Sequence, residues 1–319
     1  MRHLLLILLF PMTLIAQTMQ QFTEQLGKTV LYGDITLSPD GAHVAWVQST
    51  AASTSKQTYI RGTSEGSPAT VVKIPAAAGQ RTDFDLAWSP DSRMLAVFSS
   101  AGQKEQRQLW IVNADGSDPK NITDLKGYAA HPRWSHDGGQ IAFLYIEGAG
   151  GGGPLMAAAA TTGVIDRAIH NQRIAVLDIA SGKLRQVSPE NLHIYDFDWS
   201  PDHEAFVATA APGPGDNNWW IAQIYTIDIA KGTATSIYKP SLQVAVPRWA
   251  PDGKSIAFIE GLMSDEGFHG GDLFTMTADG RDVTNRTASR KTSVNSFFWL
   301  APDRILLIEY IGGGSGISE

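Results

Sequence analysis

Pro247-Arg248-Trp249-Ala250-Pro251-Asp252-Gly253, followed after Lys254-Ser255 by the apolar run Ile256-Ala257-Phe258-Ile259, decides the fold. A strand ending in a large ring runs into Pro-Asp-Gly. Proline has its φ already set for an early turn position, aspartate bonds nearby backbone N–H groups, and glycine accepts positive φ. The phrase therefore reads as a tight hairpin with its second strand behind it.

The hairpin recurs. Counterparts are Ile35-Thr36-Leu37-Ser38-Pro39-Asp40-Gly41, Leu86-Ala87-Trp88-Ser89-Pro90-Asp91, Pro132-Arg133-Trp134-Ser135-His136-Asp137-Gly138, Phe197-Asp198-Trp199-Ser200-Pro201-Asp202 and Phe298-Trp299-Leu300-Ala301-Pro302-Asp303. Their aspartates step by 51, 46, 65, 50 and 51 residues, the period of propeller blades with one insertion. A third strand follows in most copies, as in Gln108-Leu109-Trp110-Ile111-Val112 and Gln223-Ile224-Tyr225-Thr226-Ile227. A second turn such as Ala114-Asp115-Gly116 or Ala230-Lys231-Gly232 leads to a short fourth strand. The expected fold is all-β, a β-propeller of four-stranded blades, with five full blades and the inner half of a sixth visible before Glu319. The recurring Trp88, Trp134, Trp199 and Trp249 are expected to pack between neighbouring blades. Helix signals are nearly absent, the one candidate being Phe22 to Leu26 with Thr23 as N-cap.

Apolar residues make up 43% of the 319-residue chain and charged residues 18%, enough to bury a core. The net charge of −7 is spread without blocks and offers no basic stripe, so a nucleic-acid partner is not expected. Met1-Arg2-His3, the uncharged run Leu4 to Phe10 and the small Ala16 before Gln17 read as a signal peptide over 1–16. Residues 17–30 form a lead-in and 31–319 the propeller. No second long apolar run follows, so the mature chain is expected to be periplasmic or secreted and free of the membrane. The chain has no cysteine, which excludes disulfides and makes a closed zinc site improbable.

Three loops depart from the repeat. The glycine- and alanine-rich insertion from Glu147 to His170 has linker composition. Blade four carries Asp216, Asn217, Asn218, Trp219 and Trp220 between its second and third strands, and blade five carries Asp265 and Glu266 at the equivalent place. Both loops should emerge on one face. Carboxylates suit the amino end of a peptide and rings suit its apolar side chains, so these seven residues are the substrate-contact candidates. The alternative is that Trp219 and Trp220 only cover the blade top.

Gly62-Thr63-Ser64-Glu65-Gly66 matches the serine-nucleophile pattern, but strands surround it where the hydrolase elbow needs a strand-to-helix corner. It reads as a hairpin loop. The eight histidines show no paired metal spacing, and Pro-Asp-Gly lacks the alternating carboxylates of a calcium loop. No catalytic residue, metal ligand or cofactor is assigned.

The Trp-Ser-Pro-Asp-Gly phrase with its Ile-Ala-Phe strand resembles the repeats shared by TolB-like proteins and by the dipeptidyl peptidase IV and acylaminoacyl peptidase branches of the prolyl oligopeptidase family. The stretches Ile194 to Asp202, Asp216 to Ile221, Val246 to Trp249 and Gly261 to Glu266 are similar to exported bacterial peptidases of that family. The resemblance covers essentially everything after the signal. It implies a propeller that caps an α/β-hydrolase domain, filters peptide substrates and helps to grip them. The triad lies in that later domain, so none of its residues can be assigned here, and the chain alone is expected to be inactive. Peptide substrates and the hydrolase domain are the implied partners. A second reading is a free-standing TolB-like periplasmic propeller that binds proteins, with its N-terminal residues closing the ring. An independent hydrolase using Ser64 is a third.

Overall fold

The hairpin turns are held as their sequence requires. In the first four copies the motif serine donates its hydroxyl to the aspartate Oδ1 at 2.5–2.6 Å. The same Oδ1 accepts the N–H two residues on. The serine Oγ in turn accepts the N–H five residues on. These bonds, the serine's first, hold the carboxyls of Asp40, Asp91, Asp137 and Asp202 below their ordinary range. Ala250 replaces the serine in the fifth copy, where Asp252 still accepts from Lys254 N–H at 3.0 Å.

A computed structural model of the chain describes residues 19–53, 55–76, 81–101, 106–149, 170–214, 216–263 and 268–319. The signal segment, most of the 147–170 insertion, and Asp265 and Glu266 lie outside the described residues. Six antiparallel sheets follow one another, each with its strands in chain order. They are blade 1 (30–71), blade 2 (83–121), blade 3 (127–186), blade 4 (193–238), blade 5 (243–285) and blade 6 (293–318). The first strand of every blade is innermost, and these strands stand around a common axis, as in a β-propeller.

Alternation along the second strands builds the core. Leu95 and Val97 of blade 2 face blade 1, packing with Ala45 and Ile60. Ala96 and Phe98 between them face blade 3, where Phe98 meets Phe143 edge to face with ring centroids 5.5 Å apart. The motif tryptophans tie these layers together. Four of the five indole N–H groups donate to a carbonyl on the preceding blade: Trp88 to Thr36 at 3.4 Å, Trp134 to Ala87 at 2.9 Å, Trp199 to Arg133 at 3.0 Å and Trp299 to Arg248 at 3.3 Å, whereas that of Trp249 is buried without a partner among the described residues. The accepting residue always stands just before the motif's Leu or Trp.

Two details differ from the sequence reading. Blade 6 has three strands, Ser293–Ala301, Arg304–Ile311 and Gly314–Ser318, where two were expected. Gly312 and Gly313, with φ of 56° and 87°, make the two-residue turn that returns the chain for the third. The helix α1 runs from Met19 to Gly27, and Thr23 sits inside it, donating Oγ1 to the Met19 carbonyl at 2.8 Å, so it is not a cap. The outer flanks of the first and last blades stay uncovered: Ile35 is 68% exposed and Ile317 72%, whereas inner flanks of the other blades are buried.

Candidate functional site

Every innermost strand slips register at the same level, before its motif tryptophan or leucine. Such bulges re-aim side chains. Asp34, Asp85, His131 and Val246 take positive φ there, of 48°, 46°, 56° and 55°. For the β-branched Val246 this is a strained conformation.

The bulges bring charge to the axis. Asp34 accepts from the Asp85 N–H, and Asp85 from the His131 N–H, each at 3.2 Å across a blade boundary. Burial and the neighbouring Asp85 push the Asp34 carboxyl up. Arg107 lies 3.8 Å from the Asp85 carboxylate, its guanidinium clasped between the rings of Phe84 at 4.0 Å and Tyr128 at 4.6 Å. An axial cavity of about 560 Å³ opens over this group.

Beyond it, three consecutive blades present Arg133, Asp198 and Arg248 at the residue before the tryptophan, and blade 4 adds Asp196 at its bulge. Arg133 donates to Asp196 Oδ1 at 2.9 Å and reaches Asp198 Oδ1 at 3.5 Å. Arg248 donates to Asp196 Oδ2 at 2.8 Å, while Asp198 Oδ2 accepts from the Trp249 N–H at 3.1 Å. All four side chains are only 20–26% exposed. Burial acts against ionisation of Asp196, but Arg248 and Arg133 outweigh it and pull the carboxyl down to about 2. At Asp198 burial wins over the same two arginines and the carboxyl is pushed up.

A second cavity, of about 330 Å³, lies beside this network between blades 4 and 5 and shares His131 and Arg133 with the first. Two of the irregular loops border it. The blade-4 loop contributes Trp219 from the single-turn helix α2 (Asp216–Trp219), and the blade-5 loop contributes His269. The loops thus share one face of the propeller.

Among the contact candidates, Trp219 is 2% exposed and packs with Tyr195, Ala245, Val246 and Met263, so its ring is core that walls the cavity. Trp220 is 48% exposed. Asn217 is exposed, whereas Asn218 donates its amide to the Pro214 carbonyl at 2.8 Å and braces the loop. Asp216 opens α2. The axial residues Asp196, Asp198, Arg133 and Arg248 were not among the candidates. Their signal was the repeat itself, which places charge in blades 3 to 5 where the other copies have Thr36, Ala87 and Phe298. Ser64 lies in the turn between the strands Gln57–Gly62 and Ala69–Val71, with no helix behind it. Among the described residues, no group of three or more His, Asp or Glu is placed to hold a metal ion, and no helix is long and apolar enough to cross a membrane.

No family model matches the chain. In sequence it is 24% identical over 225 residues to the uncharacterized peptidase YuxL of Bacillus subtilis, covering 70% of this chain and 29% of that protein. It is 26% identical over 145 residues to dipeptidyl-peptidase 5 of Porphyromonas gingivalis, covering 43% of this chain and 19% of that protein. The chain therefore aligns with less than a third of each relative's length. In structure it is similar to the β-propeller domain of the Trilobed protease from Pyrococcus furiosus, with a TM-score of 0.59, 14% identity and 91% and 82% of the two chains covered. It is also similar to a putative TolB from Agrobacterium tumefaciens, with a TM-score of 0.54, 17% identity and 80% of each chain covered. These structures bear out the propeller fold. The repeats' resemblance to the propeller portion of prolyl oligopeptidase-family peptidases holds, since both sequence relatives carry peptidase names.

Proposed function

We propose that this chain is the substrate-facing propeller of an exported serine peptidase, whose hydrolysis belongs to an α/β-hydrolase domain elsewhere in the protein. The observation that carries this reading is the 330 Å³ cavity at the axis, walled by Trp219 and His269 from the two loops singled out as peptide contacts. A concave, partly apolar site with a few convergent polar groups is what a peptide end needs. The peptidase names of the sequence relatives, and their far greater length, agree with it. Asn217 and Trp220 are exposed on the blade-4 loop, and Trp220 is the residue best placed to receive an apolar side chain; Asp216, Asp265 and Glu266 remain contact candidates from the sequence. The basic, apolar and small-residue sequence of 1–16 supports export.

A second reading, a free-standing TolB-like propeller that binds folded proteins, draws on the likeness to TolB over 80% of both chains. Peptide binding separates the two. With fluorescently labelled hexapeptides, the peptidase reading expects binding to residues 17–319 that Trp220→Ala weakens about five- to tenfold, a loss of roughly 1–1.4 kcal/mol. Peptide anilides are expected to remain uncleaved by the same protein. No peptide binding, with capture of a folded partner instead, would favour the second reading, and anilide turnover abolished by Ser64→Ala would overturn both.

A further inference from the structure

Thr209 carries an unmet demand in the middle of the cavity between blades 4 and 5. It is 1% exposed, its Oγ1 is buried without a hydrogen-bond partner among the described residues, and it lines the cavity. A buried hydroxyl with no partner is uncommon enough to need a reason. Its cross-strand neighbour is Asp196, whose two oxygens are already taken by Arg133 and Arg248. The one carboxylate on this wall is thus engaged, while the Thr209 hydroxyl is not. Both bonds described for Arg248 leave from Nη1, and its side chain, 20% exposed, lines the cavity with a guanidinium whose fork geometry suits a planar acceptor. Arg133, Arg248 and Asp196 line this wall, with Asp198 3.5 Å from Arg133 behind it, and His131 and His269 complete the polar lining. Strain at Val246, which backs the same space, marks a segment held in place against its own preference.

We propose that this cavity is a carboxylate-binding site in which the Arg248 guanidinium and the Thr209 hydroxyl hold the two oxygens of a small ligand's carboxyl group. Its volume of about 330 Å³ suits one or two residues and no more. The bearer of the carboxylate is the C-terminal end of a short peptide, an identity that rests on the peptidase reading; the site's preference for a carboxylate does not. A propeller that fixes the far end of its substrate would measure peptide length from the axis.

Calorimetric titration of residues 17–319 with Ala-Ala-Ala, its C-terminal amide, N-acetylalanine and N-acetylalanine amide tests the site. Both free acids are expected to bind at least tenfold more tightly than their amides. Thr209→Val, which keeps the shape and removes only the unpartnered hydroxyl, is expected to weaken the acids about fivefold, leave the amides unchanged and not lower the melting temperature. Arg248→Gln is expected to abolish the preference for the acid. Binding of N-acetylalanine with this dependence, but not of Ala-Ala-Ala, would keep the carboxylate site and remove the peptide as its ligand. Equal binding of acids and amides, no binding of either acid at 10 mM (about 2.7 kcal/mol of affinity), or acid binding indifferent to Thr209→Val would overturn the proposal.

Discussion

Trp199→Ala is expected to lower the unfolding free energy by about 3–5 kcal/mol, a large fraction of the roughly 5–15 kcal/mol of an ordinary folded chain. Trp199 is 1% exposed, and its ring lies 4.4 Å from that of Phe206 within the cluster that joins blades 3 and 4. Its indole N–H also donates to the Arg133 carbonyl at 3.0 Å, so truncation opens a cavity and strips a buried acceptor on the neighbouring blade at once. Trp249 provides the internal control. Its Nε1 is buried with no partner, so Trp249→Phe gives up no hydrogen bond and should cost less than about 1 kcal/mol. Urea denaturation followed by circular dichroism reads both. A loss under about 1 kcal/mol for Trp199→Ala would mean that the tryptophans do not join the blades.

The second large effect belongs to Asp196. Replacing it with asparagine leaves Arg133 and Arg248 facing each other, both mostly buried, without the carboxylate that separates them. Removing one member of such a network costs about 3–5 kcal/mol when burial is complete, and here about 3 kcal/mol, because a fifth to a quarter of each side chain remains exposed. The acid limb carries the same signature. Arg248 and Arg133 hold the folded Asp196 carboxyl at about 2 against its ordinary value of 3.8. Its contribution is therefore present in full above pH 4 and is lost as pH falls toward 2, a difference of roughly 2 kcal/mol. Asp198 acts in the opposite sense, since burial raises its carboxyl and the fold favours its neutral form. Asp198→Asn should accordingly cost far less than Asp196→Asn, and its amide oxygen can still accept from the Trp249 N–H. Denaturation curves at pH 7 and at steps from 5 to 2.5 check these signs; an Asp196→Asn variant with the wild-type acid limb would contradict them.

The blades were legible because every turn carries its aspartate with proline, glycine or both beside it, and because the serine and aspartate bonds that lock the first four turns are local. The last strand of blade 6 was hidden by its own composition. Gly314-Ser315-Gly316 has little strand preference, and only the pairing of Gly314–Ser318 with Leu307 to Ile311 of the second strand makes it a strand. The N-cap assigned to Thr23 failed because the helix starts a turn earlier, at Met19. Of the two adjacent tryptophans in the blade-4 loop, Trp219 closes α2 and is buried, whereas Trp220 follows the helix and is exposed. Reading the sequence treated them as a pair.

The axial network escaped for a different reason. Arg133 and Asp196 are far apart along the chain, and neither has a motif of its own. Only the superposition of repeats shows that Arg133, Asp198 and Arg248 hold one structural position in successive blades, and only the bulges explain why Asp196 turns toward them. The unpartnered Thr209 hydroxyl leaves no trace in sequence at all, because threonine in the middle of Ala208-Thr209-Ala210 is an ordinary strand residue.

Hydrogen exchange at the tryptophan indoles, followed by NMR of protein labelled with ¹⁵N at those nitrogens, tests most directly whether these rings lock one sheet to the next. The indole protons of Trp134 and Trp199, buried and bonded to the Ala87 and Arg133 carbonyls, should persist for hours in heavy water, while that of the exposed Trp220 vanishes within the dead time. Equally rapid loss of the Trp134 and Trp199 signals from a protein that is otherwise folded would contradict the radial packing on which the axial charges and the cavities depend.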